Sequence, residues 1–192
     1  MFSKKISLLL FIAVCSNFVS AQKYLSKEVP EISKNWNDNT FTSTKTFQEN
    51  IAEAPEFSKL AKILKNENLS KRIESEEMVT IFALNDEAFS KLNKKERDSV
   101  TGNKLLLSSI INYLIVPGRI DQHGLITEAK NHGGKFYLST LNGENLGVIE
   151  KEGKIYLEDS KGRLAAIIAT DFYHKNGFFH IIDSFVFPAA KE

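Results

Sequence analysis

The chain has 192 residues, of which 42% are hydrophobic and 26% charged, a composition typical of one soluble globular domain. Its formal net charge of +1 provides no basic field that would attract nucleic acid, so we predict no nucleic-acid partner. Fourteen Phe against one Trp predict a core built largely of phenyl rings.

The amino terminus predicts export. Two lysines at 4–5 precede the apolar run ISLLLFIAV at 6–14, and the short residues VSA at 19–21 fit a cleavage site before Gln22. The apolar run rises only about 14 Å as a helix, roughly half of the hydrocarbon core, which disfavours a transmembrane anchor. We therefore predict a cleaved signal peptide over 1–21 and no transmembrane segment afterwards. The protein would be secreted, held at the cell surface or periplasmic.

Cys15 is the only cysteine of the chain. A lipoprotein signal places a small residue directly before the modified cysteine, whereas Val14 is bulky and β-branched, so lipid attachment at Cys15 is the disfavoured alternative. Cleavage after Ala21 leaves a mature chain without cysteine. We therefore expect its stability to come from the core and the backbone hydrogen bonds rather than from disulfides.

The first elements are predicted from polar composition and helical spacing. Residues 22–43 are rich in Asn, Ser and Thr, and we interpret them as a polar linker or arm. Trp36 stands alone there and either docks on the domain or stays at the surface. Helical signals begin near Thr46. One amphipathic face then follows at the spacing i, i+3, i+4 and i+7, with Phe57, Leu60, Ala61 and Leu64.

The middle of the chain predicts a buried strand followed by capped helices. The short apolar segment MVTIFA at 78–83 indicates the strand, and Asn85 is placed to cap the next helix. Asn103 is a second candidate cap, and Pro117-Gly118 would stop the helix that it begins.

From Lys135 onward the pattern changes to strands separated by turn dipeptides such as Asn142-Gly143. Because helices come mostly first and strands mostly later, we predict an α+β fold. The segment FFHIIDSFVF at 178–187 has almost no polar alternation. It is either covered on both faces or exposes an apolar patch used for binding.

Searches for catalytic and metal sites find weak candidates only. There is no G-x-S-x-G segment and no phosphate-binding glycine loop, and we expect no cofactor. His174 and His180 flank a predicted turn and could approach each other as zinc ligands, although core or loop roles are favoured. Carboxylates that could face one another across strands are those of Glu158, Asp159 and Asp171.

Two segments together resemble the fasciclin domain family. Residues 79–89 (VTIFALNDEAF) are similar to its first box, TVFAPTNEAF, and residues 176–183 (NGFFHIID), with Pro188 beyond, to its second box, NG-x-IHVID. Between them, 113–118 (YLIVPG) is similar to the intervening YHVVPG segment. The resemblance covers roughly 44–188, which leaves 189–192 as a tail.

The resemblance implies a fasciclin-like α+β wedge of two β-sheets with helices packed along one side, and an extracellular adhesion role without enzymatic activity. We expect the box residues to be structural, with Thr80 and His180 pairing with each other or with the backbone on core strands. Asn176-Gly177 would supply positive φ for a turn. The box residues are Thr80, Phe82, Asn85, Phe89, Tyr113, Pro117, Gly118, Asn176, Gly177, His180 and Asp183.

The chain departs from the family pattern at two places. Leu84-Asn85 replaces the usual Pro-Thr of the first box, although Asn85 keeps the capping chemistry. Leu114 replaces the histidine that follows the tyrosine, in a region linked to integrin binding in animal members, so that receptor class is not expected.

Three functions compete on this sequence. The first is an adhesion module that binds cell-surface polysaccharide, matrix, a protein partner or another copy of itself. The alternative is an extracytoplasmic carrier of a small apolar ligand, suggested by the fourteen Phe. The third is a periplasmic hydrolase, for which His180 and Asp183 are the only candidate residues.

Overall fold

The computed structural model describes residues 30–189. The predicted signal peptide and Cys15 lie outside the described residues, as do residues 190–192 of the predicted tail. Between residues 30 and 189, no helix has the length and apolar character that a bilayer span requires.

The described residues contain seven α-helices, one 3₁₀ helix and nine strands. The helices are α1 (Phe47–Ala52), α2 (Ser58–Leu64), α3 (Glu67–Ser75), α4 (Asp86–Lys91), α5 (Lys94–Gly102), α6 (Lys104–Tyr113) and α7 (Gln122–Asn131), with the 3₁₀ helix at Pro55–Phe57. The strands are β1 (Ser33–Trp36), β2 (Asn39–Thr42), β3 (Val79–Leu84), β4 (Ile115–Pro117), β5 (Lys135–Ser139), β6 (Asn145–Lys151), β7 (Lys154–Glu158), β8 (Leu164–His174) and β9 (Gly177–Ile182).

The strands form a two-stranded hairpin, β1–β2, and a seven-stranded sheet in the order β4-β3-β9-β8-β7-β6-β5. Strands β3 and β9 run parallel, and the other paired neighbours are antiparallel. The register between β8 and β9 shifts between Ile167 and Ala169 and again between Ala169 and Phe172. Strand β8 thus joins the β3, β4, β9 set to the β5, β6, β7 set. Separate helices and a mixed sheet confirm the α+β class.

Side-chain caps begin most of the helices. The predicted caps Asn85 and Asn103 are confirmed, since Asn85 accepts a hydrogen bond from the Ala88 N–H and Asn103 from the N–H groups of Leu105 and Leu106. The other side-chain caps in the described range are Thr46, Asn66, Asn93 and Asp121.

Helix α6 ends before the predicted stop at Pro117-Gly118. The helix ends because the chain after Tyr113 pairs with the free edge of β3. The Leu114 carbonyl accepts the Phe82 N–H at 2.9 Å, and β4 then pairs with β3. Pro117, which cannot donate to a ladder, is tolerated because β4 is an edge strand.

Residues 33–42, within the segment predicted as a polar linker or arm, form a hairpin packed on the core. Strands β1 and β2 pair from Ser33 opposite Thr42 to Trp36 opposite Asn39, and Phe41 is fully buried. The Trp36 ring is half-buried and lies 5.6 Å from the Phe57 ring, so Trp36 docks on the domain. The prediction of an arm therefore does not hold for residues 33–42.

Phenyl rings make up the centre of the core. The Phe41 ring lies 5.0 Å from Phe179, 5.2 Å from Phe172 and 6.1 Å from Phe57, in edge-to-face contacts. Phe179 belongs to β9, which is buried from Phe178 to Ile182. Of the two interpretations of its apolar sequence, coverage on both faces is therefore the one observed.

Candidate functional site

The two boxes meet on the second and third strands from the β4 edge of the sheet. The first includes β3 and the second includes β9, and these strands are parallel neighbours. Their register places Phe82 opposite His180, and the two rings stack at a centroid distance of 5.7 Å. Segments that are far apart in the sequence thus form one structural unit.

Thr80 and His180 hold the same loop, which runs from Gly118 to Asp121 between β4 and α7. The Thr80 hydroxyl donates to the Gly118 carbonyl at 2.8 Å and accepts the Ile120 N–H at 2.8 Å. His180 Nε2 donates to the Ile120 carbonyl at 2.9 Å. The two side chains therefore pair with backbone and not with each other, which settles the alternative that the sequence left open.

The environment of His180 favours the neutral ring. Its Nδ1 accepts the Asp171 N–H at 3.2 Å, which places the proton on Nε2. Burial lowers the pKa of His180, and this effect exceeds the opposing ones of the Ile120 carbonyl and of the Asp171 and Asp121 carboxylates. Both ring nitrogens of His180 are thus engaged in hydrogen bonds to backbone groups of the domain.

Asp171 completes the attachment of this loop to β8. Its φ of 58° lies in the left-handed region, and its Oδ1 accepts the Gln122 N–H, at the start of α7, at 2.8 Å. The Thr170 hydroxyl donates to the Gln122 side-chain oxygen at 2.9 Å. The loop is therefore tied to β3, β9 and β8 together.

Replacement of Thr80 by Val is expected to reduce the free energy of unfolding by about 2 kcal/mol. Thr80 is fully buried, so Val would leave both the Ile120 N–H and the Gly118 carbonyl without their partner. Thr80→Ser, which keeps the hydroxyl, is the matched control and should lose less. Urea unfolding of both variants checks this, and an equal loss in the two would contradict the role of the hydroxyl.

Asn176 lies in the turn between β8 and β9, and Gly177 begins β9 opposite Val79 of β3. Asn176 Nδ2 donates to the carbonyls of Ile73, at 2.8 Å, and Glu76, at 3.0 Å. The Val79 N–H donates to the Asn176 carbonyl at 2.9 Å. Gly177 has the positive φ that was predicted, and Asn176 does not.

Two box residues attach helices to the rest of the domain. Phe89 of α4 packs edge-to-face on Phe185 at 4.9 Å. Tyr113, at the end of α6, donates its hydroxyl to the Asn145 carbonyl at 3.1 Å, and burial raises the pKa of Tyr113 to about 12.

Asp183 links α4 to the sheet. Its Oδ1 accepts the Ala166 N–H at 2.8 Å, and its Oδ2 lies 2.8 Å from the Lys91 ammonium. Burial acts to raise the pKa of Asp183, but the Lys91 and Ala166 hydrogen bonds outweigh it and leave this pKa lowered. Asp183 therefore has a structural role, at a site separate from the His180 ring, whose polar partners are Ile120 and Asp171.

The candidate metal and carboxylate sites are not assembled. His174 donates to the Phe178 carbonyl at 3.2 Å, and its Nδ1 has no partner among residues 30–189. Burial lowers the pKa of His174 to about 4. Within that same range, His, Cys, Asp and Glu side chains form no cluster of three or more suited to a metal ion.

The three candidate carboxylates have separate partners. Glu158 pairs with Lys135, and Asp159 Oδ2 lies 2.6 Å from Arg163 Nε. The ladder places Glu158 opposite Leu164, at the start of β8, whereas Asp171 lies near the other end of that strand. The structure therefore does not bring them together as a catalytic pair.

A groove of about 1060 Å³ lies beside α5 and α6, and we call it the C-terminal groove because residues 187–189 form one of its sides. Its floor and walls come from four parts of the chain: α5, the start of α6, the β7–β8 turn and residues 187–189. They carry three basic residues, Lys95, Lys161 and Arg163, and the 84% exposed Leu105.

Asp159 builds the part of the groove that holds Arg163. Its buried carboxylate accepts the N–H groups of Lys161 at 2.9 Å, Arg163 at 3.1 Å and Phe187 at 3.0 Å. Burial acts to raise the pKa of Asp159, but these N–H groups and the Arg163 guanidinium outweigh it and leave this pKa lowered. The groove could not be found from the sequence, because its residues come from four separate segments. The one local signal is the spacing of Asp159 and Arg163 across the turn residues Lys161-Gly162, which is compatible with an ion pair.

Comparison with known protein families assigns the family of this chain. Residues 55–188 match the sequence profile of the Fasciclin domain. The chain belongs to the fasciclin domain family. The match includes both boxes, whose strands β3 and β9 are the parallel neighbours described above.

The fasciclin domain of this chain has relatives in several kingdoms. It is 31% identical over 148 residues to Protein sll1483 of the bacterium Synechocystis, covering 76% of this chain and 75% of that protein, which supports a bacterial origin. It is 27% identical over 154 residues, 75% of the chain, to a fasciclin-like arabinogalactan protein of Arthroderma benhamiae, and spans 36% of that protein. It is 27% identical over 136 residues, 71% of the chain, to the transforming growth factor-beta-induced protein ig-h3 of Sus scrofa, and spans 18% of it.

A solved structure confirms the fold. The chain superposes with a TM-score of 0.60 on a FAS1 domain pair from the insect cell adhesion molecule fasciclin I, at 14% identity. The likeness covers 84% of this chain and 67% of that one.

The departure at Leu114 has a structural consequence in this fasciclin domain. Leu114 is 1% exposed, and its backbone N–H and carbonyl both form hydrogen bonds at the junction of α6 and β4. The position therefore presents no side chain at the surface.

Proposed function

We propose that this fasciclin domain is an exported, non-enzymatic binding module that attaches to cell-surface polysaccharide, matrix or protein partners. The observation that carries the proposal is the internal use of the polar box residues. The polar groups of Thr80, Asn85, Asn176, His180 and Asp183 all bond to groups of the domain itself. These residues stabilise the fold, so partners would bind other residues, on the surface of the domain.

The relatives support the same proposal by their names. One is called a fasciclin-like arabinogalactan protein, and the structural neighbour comes from a cell adhesion molecule. Export would place this chain where such partners are found, through the signal peptide predicted over 1–21.

The alternative of an apolar-ligand carrier has less support. It depends on the number of Phe residues, but the rings of Phe41, Phe47, Phe172 and Phe179 pack against one another. Core packing therefore accounts for these rings without a ligand.

A retention assay tests the proposed function. The mature protein, purified after export, is incubated with cell envelopes and with isolated envelope polysaccharide of the producing organism over a range of protein and salt concentrations. We expect saturable retention on at least one of the two. Absence of retention up to high micromolar protein would contradict the proposal, and native mass spectrometry would then test the carrier alternative.

A further inference from the structure

We propose that the C-terminal groove is the partner-binding site of this domain and that its ligand is an acidic polysaccharide, with a sugar carboxylate held by Arg163. This inference rests on the proposed function and names the class of partner. It is carried by the fixed orientation of Arg163, by the charge around it, and by the size and mixed lining of the groove.

The Arg163 guanidinium is held in place before any ligand arrives. Its Nε donates to Asp159 Oδ2 at 2.6 Å, and its Cζ lies 4.1 Å from the centre of the Phe187 ring. The Asp159 side chain is fully buried, whereas 37% of the Arg163 side chain is exposed. One edge and one face of the guanidinium are thus fixed while part of it stays in solvent.

The contact with Asp159 uses only one of the N–H groups that the Arg163 guanidinium can donate. A purely structural Arg–carboxylate pair often forms two parallel bonds that involve an Nη group. Here only Nε contacts Asp159, and between residues 30 and 189 the Nη groups have no hydrogen-bond acceptor. The free edge is therefore oriented to donate to a carboxylate, and little side-chain entropy remains to be lost on binding.

The charges around Arg163 favour an anion. The ammonium groups of Lys95 and Lys161 have no ion-pair partner in the described part of the chain, and both residues line the groove. Glu96 is the one acidic residue of the lining, and its carboxylate accepts the Asn93 N–H at 3.2 Å in the α5 capping box. Counting the buried Asp159 as well, three positive charges face two negative ones.

The size and lining of the groove favour a chain of sugars over a small anion. A volume of about 1060 Å³ lies at the upper end of the range of small-molecule sites and leaves room for several sugar units. Leu105, which is 84% exposed, and Pro188 offer apolar contacts for the C–H faces of sugar rings. Ser99 and Ser109 offer hydroxyl groups to sugar hydroxyls. A polymer that repeats carboxylates, hydroxyls and C–H faces uses all three kinds of group.

Binding of alginate, a uronate polymer, to the mature protein tests this site, with dextran of matched length as the uncharged comparison. We expect saturable binding of alginate, weakened by salt, and none of dextran. Arg163→Lys should weaken alginate binding about tenfold, because an ammonium can neither form the planar two-bond contact nor stack on Phe187 in the same way. The double variant Lys95→Gln/Lys161→Gln should weaken it by a similar factor.

Matched controls separate the site from general charge. Lys62→Gln/Lys65→Gln removes the same charge from exposed positions outside the groove lining and should change alginate affinity less than twofold. Circular dichroism melts confirm that each variant is folded. The exposed Lys95 and Lys161 keep the test decisive even if Arg163→Lys disturbs the Asp159 contacts.

Three outcomes of the alginate assay would overturn the proposal, and so would one outcome of the envelope assay. The first is unchanged alginate binding in both groove variants. The second is equal weakening in the Lys62 and Lys65 control. The third is polyglutamate or phosphatidylglycerol vesicles binding as tightly as alginate, which would assign the groove to acidic peptides or membranes. Undiminished retention of both groove variants on envelopes or on their polysaccharide would place the site elsewhere and leave the proposed function standing. A wild-type protein retained by neither would contradict the function itself.

Discussion

Gly177→Ala is expected to abolish folding of the domain or to reduce its free energy of unfolding by more than about 4 kcal/mol. A Cβ on residue 177 would lie 1.8 Å from the Val79 carbonyl oxygen and 2.9 Å from the Val79 carbonyl carbon. Both groups are backbone, so no flexible side chain can move aside. Relief would require β9 to separate from β3 at the first pair of their register, Val79 opposite Gly177.

The effect should be specific to this glycine. Gly102, in the last turn of α5, has no positive φ, and a Cβ added there would meet nothing within 4 Å, so Gly102→Ala should be neutral or stabilise by up to about 1 kcal/mol. Soluble yield, circular dichroism and urea unfolding of the two variants provide the measurement. A loss below about 1 kcal/mol for Gly177→Ala would show that the β3–β9 contact can relax.

Local signals explain the parts of the fold that could be predicted from the sequence. Asn85 and Asn103 cap helices through N–H groups two or three residues away, so their roles follow from a few neighbouring residues. The strand that contains Val79 to Leu84 is buried along its whole length, and its short β-branched run indicates this directly.

Tertiary contacts explain the parts that could not be predicted. Phe41 is the single large apolar residue of the β1–β2 hairpin after Trp36, and its partners Phe172 and Phe179 lie more than a hundred residues further along the chain. Helix α5 was not predicted, because Val100 is its only buried residue and its other positions are polar or glycine. Neither element has a periodic apolar pattern of its own.

The functional surface is harder to predict than the scaffold for the same reason. Thr80 and His180 could be assigned to core strands from the boxes, but which backbone groups they bond depends on a loop supplied by residues 118–121. In the C-terminal groove, the Arg163 guanidinium is oriented by stacking on the Phe187 ring. Phe187 is held there by the hydrogen bond from its N–H to the Asp159 carboxylate. Contacts of this kind require the three-dimensional structure.

A fall in pH from 7 to about 4 is expected to destabilise the domain through its two buried histidines. Burial lowers the pKa of His174 from 6.5 to about 4, and burial lowers that of His180 as well. Below pH 6.5 the unfolded chain binds protons at these rings while the folded chain does not. The free energy of unfolding is therefore highest above pH 6.5 and falls as the pH drops towards 4.

The His174 contribution to this loss is about 3 kcal/mol, since each unit of pKa difference corresponds to about 1.4 kcal/mol. His174→Phe isolates it, because the ring site lies 5.8 Å from the Phe47 ring and phenylalanine does not titrate. We expect the variant to lose the Phe178 hydrogen bond at pH 7 but to lose less further stability between pH 7 and 4 than the wild type. Urea unfolding at several pH values measures both slopes, and parallel slopes would show that His174 has nearly the same pKa in the folded and the unfolded chain. A residual slope in the variant is expected from His180 and, near pH 4, from the lowered pKa values of Asp159 and Asp183. Protonation of His180 would turn the Nδ1 acceptor of the Asp171 N–H into a donor and so loosen the loop that Thr80 and His180 hold.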